Sequence, residues 1–149
     1  MFDTLVIIPA YNEEENISKV LSGIHCLSPD ADILVINDGS TDKTESIVQN
    51  HKCALISLPF NLGYGNALQT GFKYAVAKGY DYIIQFDADG QHDPESIPLI
   101  MRELKKNDVD IVIGSRFLDK SPFKLGLSKG LAISFFRLII KMTTGVKIT

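Results

Sequence analysis

The segment IIQFDADGQHDPE, residues 83–95, sets Asp87 and Asp89 two positions apart at the end of an apolar run broken only by Gln85. Carboxylates this close repel, and giving up a charge is one relief. A hard divalent cation is another, because it takes oxygen ligands and offsets both charges. Gln91 adds a carbonyl oxygen two residues on. Magnesium keeps several waters and shares its sphere with substrate phosphates, so few protein ligands suffice. The plain alternative is a turn followed by a helix cap, which Asp and Gly suit well. Asp93 is assigned to that cap. His92 is either a support for the carboxylates or a solvated loop residue.

Other polar residues cluster in the same way. In NDGSTD, residues 37–42, Asp38 is an acceptor-only side chain. It can receive the ring N–H of uracil or guanine, or a ribose hydroxyl, or it can close a turn before a helix. In PAYNEE, residues 9–14, Tyr11 can stack on a base and Glu13 can hold ribose hydroxyls; the alternative is a helix-capping segment. In NLGYGNALQTG, residues 61–71, the glycines are spaced GxGxxxxxG and follow a third apolar run. That is not the dinucleotide pattern GxGxxG after a first strand. They are read as a tight turn with close helix packing. In GSRF, residues 114–117, Arg116 can pair with a diphosphate, an acidic acceptor or a surface carboxylate.

The elements that must carry these residues alternate. Short β-rich runs at residues 4–10, 32–38, 54–60, 81–86 and 109–115 read as strands, the first buried on both faces. Helices are expected between them. The first has Asn12 as cap, Glu13, Glu14 and Glu15 in its first turn, and Ile17, Val20, Leu21 and Ile24 on its apolar stripe. The second opens with an Asp42–Glu45 capping pair. The third runs from Ala67 with Leu68, Phe72, Ala75 and Val76 on one side and ends at Gly79. The fourth runs from Asp93–Pro94 through Leu104. A last helix spans residues 129–144, capped by Ser128, after a loop at 117–127. Such alternation implies an α/β fold, a mostly parallel sheet with helices on both faces, in which ligands bind outside the carboxyl ends of the strands.

The 149 residues suffice for one domain, expected to span 1–149, and a net charge of −3 argues against nucleic-acid binding. Cys26 and Cys53 show no CxxC spacing and are expected to be reduced and buried, as in a cytoplasmic protein. The acidic N-terminal stretch reads as a strand and not as a signal peptide.

Taken in order, VIIPAYNEEENI, VINDGSTDKT, NLGYGNALQTGF, FDADGQHDPESI and IVIGSRF resemble the nucleotide-binding half of inverting family-2 glycosyltransferases with a GT-A fold. The likeness spans residues 6–117 and is nearest to dolichyl-phosphate mannose synthases and polyprenyl-phosphate sugar transferases. It implies that Pro9, Tyr11, Glu13 and Asp38 hold the base and ribose of a UDP- or GDP-linked sugar. Asp87, Asp89 and Gln91 would hold Mg²⁺ or Mn²⁺ against the diphosphate, with Asp89 and Arg116 closest to catalysis. Two departures stand out. Members often have Asp where this chain has Asn37, and Lys or Arg where it has Tyr64.

The resemblance also implies an acceptor-side segment after Thr149, so the chain reads as truncated there, with an inactive or purely nucleotide-sugar-binding module as the alternative. The acceptor would be a lipid phosphate or a glycan. No general base is evident, which favours a phosphate acceptor, already anionic near neutral pH. LAISFFRLII, residues 131–140, is too short to span a bilayer but can lie at its interface within the helix 129–144, or mediate a homodimer. That would place the protein in the cytoplasm, peripheral to the membrane. A nucleotidylyltransferase would have a basic glycine-rich loop at its N-terminus, unlike PAYNEE. A DxD phosphatase would carry its aspartates after the first strand.

Overall fold

The computed structural model describes residues 3–106, 109–114, 136, 142 and 143. Four parallel strands, β1 (Thr4–Ala10), β2 (Asp32–Asn37), β3 (Ala54–Ser57) and β4 (Tyr82–Gln85), form one sheet in the order β3-β2-β1-β4. The helices are α1 (Ile17–Leu27), α2 (Thr44–Gln49), α3 (Tyr64–Lys78) and α4 (Ser96–Lys106). The chain divides into two compact units, Met1–Val112 and Ile113–Thr149. All four strands belong to the first unit. Of the expected last helix only Phe136, Met142 and Thr143 are described; they are helical, and Phe136 and Met142 are exposed. Among the described residues no helix is long and apolar enough to cross a membrane.

Strand β1 is buried along its whole length and paired on both sides, Leu5–Ala10 with Asp32–Asn37 and Thr4–Ile7 with Tyr82–Gln85. Its alternate side chains feed two cores. Val6, Ile8 and Ala10 meet the stripes of α1, α2 and α4 through Ile17, Leu21, Val48 and Ile97, while Leu5 and Ile7 meet α3 through Ala67 and Ala75. Strand order reverses between β1 and β4, so their carboxyl ends diverge there and leave a crevice.

Several expectations require correction. Asn12 does not cap α1. It adopts a left-handed φ of 55°, and its Oδ1 accepts the Thr41 amide at 2.9 Å; the backbone oxygen of Glu13 receives the Ile17 amide instead. The three glutamates therefore precede the helix. Asp42 does not occupy the cap of α2 either: Lys43 stands there without a side-chain cap bond, Asp42 Oδ1 accepts the Thr44 amide from one residue earlier, and Glu45 turns to Asn37 and closes no box. Asp93 accepts the Glu95 amide just ahead of α4.

Helix α3 starts earlier than expected and buries a different face. Ala67, Gly71 and Ala75 face the sheet while Phe72 and Val76 are exposed. Small residues win that face because the helix packs very close: a Cβ on Gly71 would collide with the side chain of Ile7. Residues 109–114 form no strand, and Ile111 and Ile113 are 76% and 82% exposed. Strand propensity expresses fit to a covered pleated surface, and no described residue covers these. Cys53 is half-buried, with burial pushing its thiol up, but Cys26 is exposed because it lies off the α1 stripe.

Gly71→Ala should destabilise the fold by about 1–3 kcal/mol, since an overpacked core must shift. Gly65→Ala, whose added Cβ meets nothing within 4 Å, should be neutral or stabilising by up to about 1 kcal/mol. Urea denaturation of both variants checks the contrast.

Candidate functional site

Three strand ends converge on one cavity of about 360 Å³. Pro9, Ala10, Tyr11 and Glu13 come from the end of β1, Asp38 from β2, Asn61, Gly63, Tyr64 and Ala67 from the turn into α3 and its first residues, and Asp87, Ala88 and Asp89 from β4. Pro9, Tyr11, Glu13, Asp38, Asp87 and Asp89, singled out from sequence, are thus brought together. Gln91 is exposed and does not line the cavity. Arg116 lies outside the described residues.

Two loops build the β1–β2 side and are laced to each other. The amide of Asn12 donates to Ser40 Oγ, that of Glu13 to Thr44 Oγ1 and that of Glu14 to Asp42 Oδ2, while Glu14 Oε2 accepts the Lys43 amide. Burial pushes the Asp42 carboxyl up, but bonds from Thr44 and Glu14 outweigh it and leave the pKa below its ordinary value. Tyr11 stands at the rim, 46% exposed. Glu13 accepts from Asn16 Nδ2 at 3.1 Å.

Asn37 is 1% exposed and lies behind the cavity wall. Its Nδ2 donates to Glu45 Oε2 at 3.2 Å and to Ser57 Oγ at 3.3 Å, and its Oδ1 accepts the Ser40 amide. An aspartate here would set a second carboxylate against Glu45, which accounts for the amide in this chain. Asp38 is 3% exposed, and its two oxygens accept the amides of Leu62 and Gly63 at 2.8 and 2.9 Å. A carboxylate offers about four lone-pair sites, so acceptor capacity is left over on both oxygens. Gly63 takes φ 89°, the turn conformation expected of the glycine run.

On the β4 side Phe86 and Ala88 point into the core and Asp87 and Asp89 toward the cavity. Asp87 Oδ1 accepts Tyr64 Oη at 2.8 Å, and its Oδ2 pairs with His92 Nε2 at 3.1 Å, the imidazole lying against Phe86. Asp89 Oδ1 accepts the Gln91 amide across a turn in which Gly90 has φ 70°. Gln85 donates to Tyr64 Oη at 2.6 Å. Burial, then the bond to Asp87, pushes the Tyr64 phenol up to about 12. Sequence reasoning noticed Tyr64 and Gln85 only as a departure and an interruption. Their signals were position, a polar residue closing an otherwise apolar strand and a tyrosine after the glycine turn.

The donor set of Asp87 and Asp89 is hard oxygen, which suits Mg²⁺ or Mn²⁺ and no soft metal. No cluster of three or more His, Cys, Asp or Glu capable of holding a metal occurs among the described residues. A cation sharing its sphere with phosphate oxygens and water does not need one.

The parallel sheet with its crevice at the reversal point is an architecture shared with GT-A glycosyltransferases, which are its solved structural neighbours. The model for glycosyl transferase family 2 matches residues 5–144, and the chain belongs to that family. It is 34% identical over 121 residues to the polyprenol monophosphomannose synthase of Mycolicibacterium smegmatis, covering 77% of this chain and 45% of that protein. It is 33% identical over 163 aligned positions to the UDP-N-acetylglucosamine–dolichyl-phosphate N-acetylglucosaminyltransferase of Methanococcus voltae, covering 94% and 64%. Among solved structures, glucosyl-3-phosphoglycerate synthase from Mycobacterium tuberculosis, in complex with Mn²⁺, uridine diphosphate and glucosyl-3-phosphoglycerate, matches with a TM-score of 0.58 and 25% identity, over 70% of this chain and 40% of that one. A mannosyltransferase from Pyrobaculum calidifontis, in complex with GDP-mannose and Mn²⁺, matches with a TM-score of 0.50 and 25% identity, over 58% and 27%. The chain spans about half the length of the first curated relatives it matches.

Asn37→Asp should destabilise the fold by about 1–3 kcal/mol at pH 7, the cost of a buried polar partner lost and a like charge gained. The aspartate–Glu45 pair would have a folded-state pKa raised above its unfolded value. The penalty is therefore full well above the ordinary carboxylate range and shrinks as pH falls toward about 4. Denaturation midpoints of both proteins between these pH values check the trend.

Proposed function

We propose that this domain binds a nucleoside-diphosphate sugar in the cavity at the ends of β1, β2 and β4 and transfers the sugar, with inversion, to the phosphate of a polyprenyl lipid. The observation that carries the reading is the convergence of Tyr11, Glu13, Asp38 and the Asp87–Asp89 pair on one cavity. It is supported by membership of glycosyl transferase family 2 and by relatives named for polyprenol, undecaprenyl-phosphate and dolichyl-phosphate sugar transfer.

Each residue then has a chemical task. The exposed ring of Tyr11, beside Pro9, offers a stacking face to the base. Glu13 accepts from ribose hydroxyls. Asp38, already fixed by two amides, uses its remaining lone pairs for a base N–H or a ribose hydroxyl. Asp87 and Asp89 would hold Mg²⁺ or Mn²⁺ at the diphosphate, while Gln91, outside the cavity, gives its backbone amide to Asp89. A cation bound there would offset the negative charge that grows on the leaving diphosphate. The bond between the anomeric carbon and the diphosphate oxygen breaks with its electron pair going to the diphosphate. An oxygen of the acceptor phosphate supplies the new pair from the opposite face. A phosphate monoester is already largely ionised near neutral pH and needs no general base. Arg116 would pair with the diphosphate or the acceptor. Residues 129–144 would meet the membrane surface that holds the lipid.

A thermal-shift panel of UDP- and GDP-sugars with Mn²⁺ or Mg²⁺ tests the reading. A donor present at a hundred times its dissociation constant should stabilise the fold by about 2.7 kcal/mol. Asp89→Ala should abolish the metal-dependent part of that shift. No shift with any donor, or an undiminished one in Asp89→Ala, would contradict the reading. Donor binding without sugar transfer to a polyprenyl phosphate would leave a nucleotide-sugar-binding module.

A further inference from the structure

The phenol of Tyr64 is held at both ends of its hydrogen-bonding capacity. Gln85 Nε2 donates to the hydroxyl at 2.6 Å, and the hydroxyl in turn donates to Asp87 Oδ1 at 2.8 Å. An amide N–H cannot accept, so Gln85 leaves the phenolic proton one direction, toward Asp87. The other oxygen of Asp87 pairs with His92 Nε2 at 3.1 Å. Asp87 is therefore clamped from two sides, whereas Asp89 accepts only the Gln91 amide among the described residues.

The clamp has a rigid base. Tyr64 is the first residue of α3, and the turn just ahead of it is fixed by the two bonds from Leu62 and Gly63 to the buried Asp38. Tyr64 is about half exposed and belongs to neither hydrophobic core. Its place at the cavity wall is thus not a packing requirement.

Resting on the metal-assisted reading given above, we infer that Tyr64, backed by Gln85, is a positioning residue that presets the Asp87 carboxylate for a divalent cation. Groups that hydrogen-bond to a metal's carboxylate ligands fix the ligand's orientation, and losing one typically weakens metal binding about 10–100-fold. The Tyr64 hydroxyl would occupy one lone pair of Asp87 Oδ1 and fix the carboxylate's rotation, leaving its remaining lone pairs for the cation. The tyrosine would do so without adding a positive charge.

Titrating the full chain with Mn²⁺, alone and with UDP or GDP, and counting free Mn²⁺ by electron paramagnetic resonance tests this without reference to turnover. Tyr64→Phe should bind Mn²⁺ about tenfold more weakly than the parent, with an unchanged metal-free melting midpoint. Gln85→Leu should shift in the same direction by less, because the hydroxyl stays but loses its orientation. Tyr64→Phe binding Mn²⁺ like the parent, while Asp89→Ala does not bind it, would overturn the inference and leave the proposed function standing. A parent chain that binds no Mn²⁺ under any of these conditions would overturn both. If Tyr64→Phe also lowers the metal-free midpoint, Gln85→Leu decides: weakened Mn²⁺ binding there supports the inference and unweakened binding contradicts it.

Discussion

A carboxylate withdrawn from water must be given donors, and the site is organised around one that is. Asp38 at the end of β2 is almost wholly buried and takes two backbone amides from the turn that opens α3. Leaving those amides or that charge unpaired would cost several kcal/mol, so the turn has one place to go. That bond pair joins the second strand end to the third connection and starts α3 where Tyr64 can reach the fourth strand end. The cavity wall is therefore continuous from Asp38 to Asp87, although those residues are far apart in sequence.

The sheet supplies the other half of the constraint. A central strand paired on both sides and buried on both faces fixes where its carboxyl end lies, and the reversal of strand order beside it opens the crevice. The loops after β1 and β2 are then tied to each other by side chain to backbone bonds, Asn12 to Thr41 and Asp42 to Glu14 among them. Such loops pre-order a binding surface before any ligand arrives, which reduces the ordering cost of binding.

Much of this was legible in the sequence, and the failures have physical causes. Residues 4–10 read as a doubly buried strand because uninterrupted apolar character leaves no other placement, and β1 has those bounds. The polar residues after the first four apolar runs, Gln91 excepted, meet at the cavity because strand ends in parallel sheets share one edge. Helix α3 misled in part because its burial is decided by the closeness of the backbone to Ile7, which favours Gly71 and the alanines over Phe72 and Val76, while Leu68 still packs against the core as expected. Asn12 misled because a capping residue can equally bond across to another loop, and here Thr41 claims its side chain. The Tyr64–Gln85–Asp87 chain was hidden because it depends on how closely the start of α3 approaches the end of β4, a distance no local pattern encodes. Residues 109–114 carry strand-like apolar character but have no covered surface among the described residues.

The central claim is that the acidic pair leaving β4 grips a cation against the diphosphate of an activated sugar. Anomalous diffraction from crystals of this protein soaked with Mn²⁺ and UDP or GDP measures it most directly. The account predicts a manganese peak within coordination distance of a carboxylate oxygen of Asp87 or Asp89, with the diphosphate on the same ion and the base beside Tyr11. Nucleotide bound elsewhere, or manganese absent from that corner while nucleotide is present, would contradict it.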